Sequence, residues 1–180
     1  MNVCVFCGSS TGNKPFFSEV AQELGSFIGA NHHTLIYGGG NIGLMGLLAD
    51  SVMANRGQVI GVIPDFLFKR EVAHLGITQL IKVGSMHERK QKMADLADVF
   101  IAMAGGWGTL DELAEILTWQ QLNLIDKPIG ILNSGNFFTP LLQMMNGMVA
   151  NDFLKRETLD KLHVEVNPKA LLTSLGVKVL

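Results

Sequence analysis

Short apolar runs alternate along this chain with segments of helical periodicity, and several of the runs end in a glycine-bearing loop. Strands buried on both faces read as unbroken apolar runs, and joining them in parallel requires a crossover connection. The pattern therefore predicts an α/β fold, a doubly wound parallel sheet flanked by helices. Strands are expected at Val3 to Cys7, Thr34 to Tyr37, Gln58 to Ile63, Ile77 to Val83, Val99 to Met103, Pro128 to Leu132 and Leu162 to Val166. Helices are expected at Pro15 to about Ile28, from the Gly38–Gly43 loop to about Asn55, at Met86 to about Leu96, Thr109 to about Leu124 and Phe137 to Val149, and from Pro168 onward. A hydrophobic content of 48% suits a sheet covered on both sides. A polar segment, Asp65 to Gly76, breaks the rhythm, but no repeat or linker divides the chain, so residues 1–180 are expected to form one domain.

Some function classes lose their footing at once. A formal net charge of −2 gives no electrostatic case for nucleic acid or an anionic membrane. No run approaches the roughly 18 apolar residues of a membrane span. The chain opens directly on strand-like residues with no basic leader, so a cytoplasmic location is expected. Cys4 and Cys7 form a C-x-x-C, but Cys4 lies inside the first strand, whereas the redox motif sits at a strand-to-helix turn. Zinc would need further ligands that do not appear, so buried strand thiols are expected and no metal.

The loops that carry chemistry all follow strands: Gly8-Ser9-Ser10, Gly38 to Gly43, Ser85 to Lys90, and Gly105 to Glu112. In a parallel sheet such loops share the carboxyl edge, where ligands bind. The last is the most informative. Gly105, Gly106 and Gly108 allow a sharp turn and close backbone approach, and a helix then opens, so free amides and a positive dipole end face one spot. That is a phosphate cradle, with the carboxylates of Asp111 and Glu112 within a turn of it. Thr109-x-x-Glu112 also matches a capping box, which would instead devote Glu112 to the backbone. Ser85-x-x-Glu88 matches the same motif. Arg89 and Lys90 then fall in a first helical turn, where a cation is disfavoured by about 0.3–1 kcal/mol; unless both are solvated, something anionic should compensate.

Gly38-x-Gly40-x-x-Gly43 fits the dinucleotide fingerprint, with Asp65 beyond it as a ribose acid, but it follows the second strand rather than the first. A turn that brings backbone near some nucleotide is the better expectation. Glu71, in the charged stretch Lys69-Arg70-Glu71, reads as solvated surface, His87 earns no role, and Glu115 lies too far along its helix to be placed in the site. Tyr37, Trp107 and Trp119 are candidates to stack on a base, although Trp119 falls on the apolar stripe of Leu113, Ile116 and Leu117 and reads as core or interface.

Four of these segments together resemble the LONELY GUY family, cytokinin riboside 5′-monophosphate phosphoribohydrolases, often mislabelled as lysine decarboxylases. Cys7 to Ser10, Tyr37 to Gly46, Met86 to Lys90 and Ala104 to Glu112 match the family's motifs in order, and the likeness loosens after about Ala150. It implies a Rossmann-like homodimer that needs no cofactor and cleaves a nucleoside 5′-monophosphate to free base and ribose 5-phosphate. Arg89 and Glu112 take the catalytic positions. Glu71, Lys90, Gly105, Gly106, Gly108, Thr109 and Asp111 take substrate-binding ones, with Thr118 a further contributor and Ser9, Gly39, Gly40, Gly43 and Met86 alongside. Ala104 stands where the family has proline, a change worth about 0.4–1 kcal/mol through the unfolded chain.

In this reading Glu112 stabilises an oxocarbenium-like state and orients water, Arg89 holds the carboxylate ionised, and the Gly105–Thr109 amides hold the 5′-phosphate. The principal rival is a non-catalytic nucleotide or pterin-cofactor carrier of the same fold. A pyridoxal-dependent decarboxylase and an NAD-linked oxidoreductase are weaker alternatives. The Met-rich Phe137 to Val149 segment and the Trp119 helix are the expected dimer face.

Overall fold

In the computed structural model, residues 1–68 and 73–180 are described. Among them, strands β1 (Asn2–Phe6), β2 (Thr34–Tyr37), β3 (Gln58–Pro64), β4 (Gln79–Val83), β5 (Val99–Ala102), β6 (Ile129–Leu132) and β7 (Leu162–Glu165) form one all-parallel, seven-stranded sheet in the order β4-β3-β2-β1-β5-β6-β7. Val3 of β1 sits opposite Leu35 on one side and Val99 on the other. This is the parallel α/β sheet the alternation predicts, in the Rossmann-like form the family resemblance implies.

Successive strand residues point to opposite faces, and the core divides accordingly. Val3 and Val5 of β1 and Leu35 and Tyr37 of β2 pack with α1 (Pro15–Ala30), α2 (Gly43–Ala54) and α7 (Pro168–Ser174). Cys4, Phe6 and Phe100 face the other layer, made of α3 (Met86–Leu96), α4 (Trp107–Gln121) and α5 (Thr139–Ala150). Phe6 stacks on Phe100 at 6.0 Å between ring centroids. Leu24, Ile28, Leu35 and Ile101 are wholly buried, each stabilising the fold by about 1.5–3 kcal/mol.

Expected and observed elements differ in a few places. The helix expected from Thr109 begins at Trp107, with Gly106 as its N-cap. Ile77 and Thr78 precede β4 rather than open it. A single-turn helix, α6 (Arg156–Leu159), and a 3₁₀ turn at Ser134–Asn136 had no periodic signature, because one turn is too short to show one. No helix among the described residues is long and apolar enough to cross a membrane.

Strand order reverses between β1 and β5. Their outgoing loops run to opposite sides, leaving a crevice at the carboxyl edge of the sheet, where α/β folds place their ligands.

Candidate active site

The loops meet at that crevice and are stitched together by backbone. The Gly8 amide donates to the Ala104 carbonyl at 3.0 Å, and the Gly8 carbonyl accepts from the amides of Leu44 and Met45 at 3.1 and 3.3 Å. The opening amides of α2 are therefore used inside the protein. Ser9 is exposed on the crevice wall with Ser10, Gly105 and Gly106, and Gly43 packs so closely on Ser9 and Ser10 that a Cβ there would collide with their backbone.

The start of α4 is different. No side chain caps it, and its N-cap, Gly106, has none to offer. The orphan amides of a first helical turn are then left to solvent or ligand. Gly106 and Gly108 are exposed, and a Cβ on either would meet nothing within 4 Å. The fold has no steric need of glycine there, although glycine inside a helix costs about 0.8–1.0 kcal/mol relative to alanine. Gly105, by contrast, is pressed against Thr109, which is buried. Since Thr109 lies inside the helix and not at its N-cap, the expected capping box is absent and Glu112 is not its glutamate.

Ser85 does cap α3: its hydroxyl accepts from the Glu88 amide at 3.1 Å, and the Glu88 carboxylate accepts from the Gly84 amide at 2.7 Å. The cap fixes the first turn of α3 and, with it, Met86, Arg89 and Lys90. Arg89 is only 5% exposed, so the solvated alternative fails. Its Nε donates to the Val62 carbonyl at 3.1 Å and Nη2 to the Gly38 carbonyl at 2.8 Å, while Nη1 lies 3.8 Å from the Met86 sulfur. A buried guanidinium must be held by such acceptors or desolvation would expel it.

Lys90 is compensated by protein carboxylates. Its Nζ lies 3.1 Å from both Asp111 and Glu115. Burial by itself would lower this ammonium's pKa, but the hydrogen bonds to Glu115 and Asp111 outweigh it and the net shift is upward. Glu115, which the sequence left unplaced, shares Lys90 with Asp111; its i, i+4 spacing from Asp111 was the available signal. Glu112, Glu115, Lys90 and Trp119 line one crevice between α3 and α4, floored by Phe6 and Ala94. Burial and then the Glu112 charge push the Cys4 thiol, in the middle of β1, well up, while Arg89 pulls it down. Cys7 is likewise free, buried and raised.

Other candidates fall elsewhere. The Gly39 carbonyl accepts from the His74 amide at 2.9 Å and Gly40 pairs with Ala73, so this turn is occupied by the protein's own backbone. Tyr37 is wholly buried and unable to stack on a ligand, whereas Trp107 is 87% exposed. Thr118 donates to the Ala114 carbonyl at 2.7 Å and lines an apolar groove between α4 and α5 rather than the α3–α4 crevice. Glu71 lies outside the described residues.

The sheet order and the loop crevice at its switch point define a Rossmann-like α/β protein. A family model described as "Possible lysine decarboxylase" matches residues 45–175. The chain belongs to that family. Two Arabidopsis thaliana relatives are named cytokinin riboside 5′-monophosphate phosphoribohydrolases. One is 45% identical over 152 residues, spanning 84% of this chain and 71% of the relative. The other is 44% identical over 152 residues, spanning 84% and 70%. Among solved structures, the molybdenum cofactor binding protein of Rippkaea orientalis superposes with a TM-score of 0.72 at 21% identity, covering 97% of this chain and 94% of that one. The Moco carrier protein of Chlamydomonas reinhardtii gives 0.72 at 19% identity, over 97% and 94%. At those identities the likeness is one of fold.

Proposed function

We propose that this chain, acting as one catalytic domain over residues 1–180, hydrolyses the N-glycosidic bond of a nucleoside 5′-monophosphate. The substrates are a cytokinin riboside 5′-monophosphate or AMP, and the products are free base and ribose 5-phosphate. The observation that carries this reading is the opening of α4, where uncapped amides and two glycines facing open space stand next to Glu112. A 5′-phosphate on those amides uses a non-reacting group to position the sugar. As the C1′–N bond breaks, its electron pair leaves with the base and positive charge grows on the ribose. The Glu112 carboxylate stabilises that charge and takes a proton from the water whose oxygen bonds to C1′; that proton passes to the departing base, which leaves neutral and returns Glu112 to its ionised form. Arg89, fixed by the Val62 and Gly38 carbonyls, keeps the carboxylate ionised and aimed. Lys90, shared with Asp111 and Glu115, sets the charge balance at the crevice mouth. The names of the Arabidopsis relatives support the same chemistry.

The reading includes a homodimer. Leu110, Leu117, Leu141, Met148 and Leu154 line the apolar groove between α4 and α5, with Met144 61% exposed nearby. A second copy would cover this face, which also holds Thr118. A reducing cytoplasm suits the two free thiols.

The test is a panel of nucleoside 5′-monophosphates assayed for free base and ribose 5-phosphate, with the dephosphorylated nucleosides as controls. Wild-type protein should act on the monophosphates alone, and Glu112→Ala and Arg89→Ala should each abolish release while remaining folded. Unchanged turnover in either variant refutes the assignment. Tight nucleotide binding without any release would favour the carrier reading instead.

A further inference from the structure

His74 and Asp50 form a pair outside the crevice that the proposed chemistry does not use. His74 is 7% exposed, and its Nε2 lies 2.9 Å from an oxygen of Asp50 on α2. The tautomer follows from the other ring nitrogen. The Gly76 amide can only donate, and it points at Nδ1 from 3.3 Å, so Nδ1 is the acceptor and Nε2 carries the proton given to Asp50. The backbone around this histidine is also committed: its own amide donates to the Gly39 carbonyl at 2.9 Å, and Ala73 bridges to Gly40. One residue earlier in the same turn, the Gly38 carbonyl receives Nη2 of Arg89. Asp50, His74, the Gly38–Gly40 turn and Arg89 therefore make an unbroken chain of contacts from α2 to the crevice.

We propose that the Asp50–His74 pair is a clasp that positions Arg89 for the hydrolysis, by pinning the turn whose Gly38 carbonyl fixes the guanidinium. This rests on the function proposed above. His74 and Asp50 are positioning residues and touch no substrate. The clasp matters because the turn is otherwise a run of glycines, with no side chains of its own to hold it to α2. Among the described residues, the Asp50–His74 pair is the side-chain contact that ties the segment bonded to Gly39 and Gly40 to α2.

Asp50 side-chain variants test this, since Asp50 is on the exposed side of the pair. In Asp50→Ala, kcat for base release should fall, by up to about a hundredfold if the reacting groups are misplaced by about 1 Å, while KM stays near the wild-type value. Asp50→Asn keeps an acceptor for the Nε2 proton and should restore most of kcat. A separate readout needs no turnover. In Asp50→Ala the His74 and Gly76 amides should exchange hydrogen faster, and the Arg89 Nε–H resonance should move. If Asp50→Ala lowers thermal stability but leaves kcat unchanged, or if Asp50→Asn is as slow as Asp50→Ala, the positioning role is overturned. If wild-type protein releases no base from any nucleotide, the hydrolase reading fails. The link from clasp to Arg89 is then judged by exchange and resonance, and an unmoved Arg89 signal overturns it.

Discussion

Nη2 of Arg89 fills the space beside Gly38 that a Cβ would need, and donates to that residue's carbonyl at 2.8 Å. The guanidinium is held in a slot that exists because glycine follows directly on β2. Gly38→Ala should displace Arg89 and lower base release by at least about tenfold, or 1.4 kcal/mol in the barrier. Kinetics and a melting curve on the same sample check it. A fully active, equally stable variant would mean that the slot does not matter.

Gly108 offers the opposite experiment. Gly108 lies in the first turn of α4, where alanine is still the better helix former, and a Cβ here meets no protein atom within 4 Å. Gly108→Ala should therefore melt no lower than wild type, yet bind ribose 5-phosphate about tenfold more weakly if the phosphate sits on the α4 amides as proposed. Calorimetric titration would decide; a stabilised variant that binds as before removes the phosphate from α4.

The Lys90 ammonium is raised by its carboxylate partners, which sets the sign of a pH effect. Its contribution to stability is complete below the unfolded-chain value of about 10.4 and is lost as pH climbs through the higher folded value. Lys90→Met should abolish that component, so its stability deficit relative to wild type should shrink on titration into the alkaline range. Urea unfolding at a series of pH values would show this. A deficit that grows with pH contradicts the pairing.

Leu117 lines the groove between α4 and α5. Placing a carboxylate there makes burial of that face against a second copy costly. Leu117→Asp should convert a dimer to a monomer in sedimentation velocity, with the far-ultraviolet spectrum retained. Dimers that persist would put the interface elsewhere.

Much of the architecture was legible in the chain because it rests on local signals. The apolar runs from Thr34 to Tyr37 and Val99 to Met103 read as strands buried on both faces, which the sheet bears out to Ala102 in the second, and the Ser85–Glu88 pair marks a helix start that the hydrogen bonds reproduce. Where one local rule covered two outcomes, the sequence left both open and the fold chose. Thr109-x-x-Glu112 has capping-box spacing, but Gly106 caps the helix and Thr109 is buried inside it. Glu115 was set aside on distance along the helix, whereas its partner arrives from α3.

What the residues themselves determined is the set of strands and helices, their parallel joining, and the loops that must gather at one edge of the sheet. Periodicity and glycine turns act over a few neighbours, so they are written locally. The tertiary structure alone decided which charges meet. The Arg89 guanidinium finds carbonyls of Val62 and Gly38, Lys90 finds Asp111 and Glu115, and His74 finds Asp50. Each of these contacts joins elements far apart in the chain. A side chain's charge says what it needs, and only the packing of the layers says what lies within 3 Å or so to supply it.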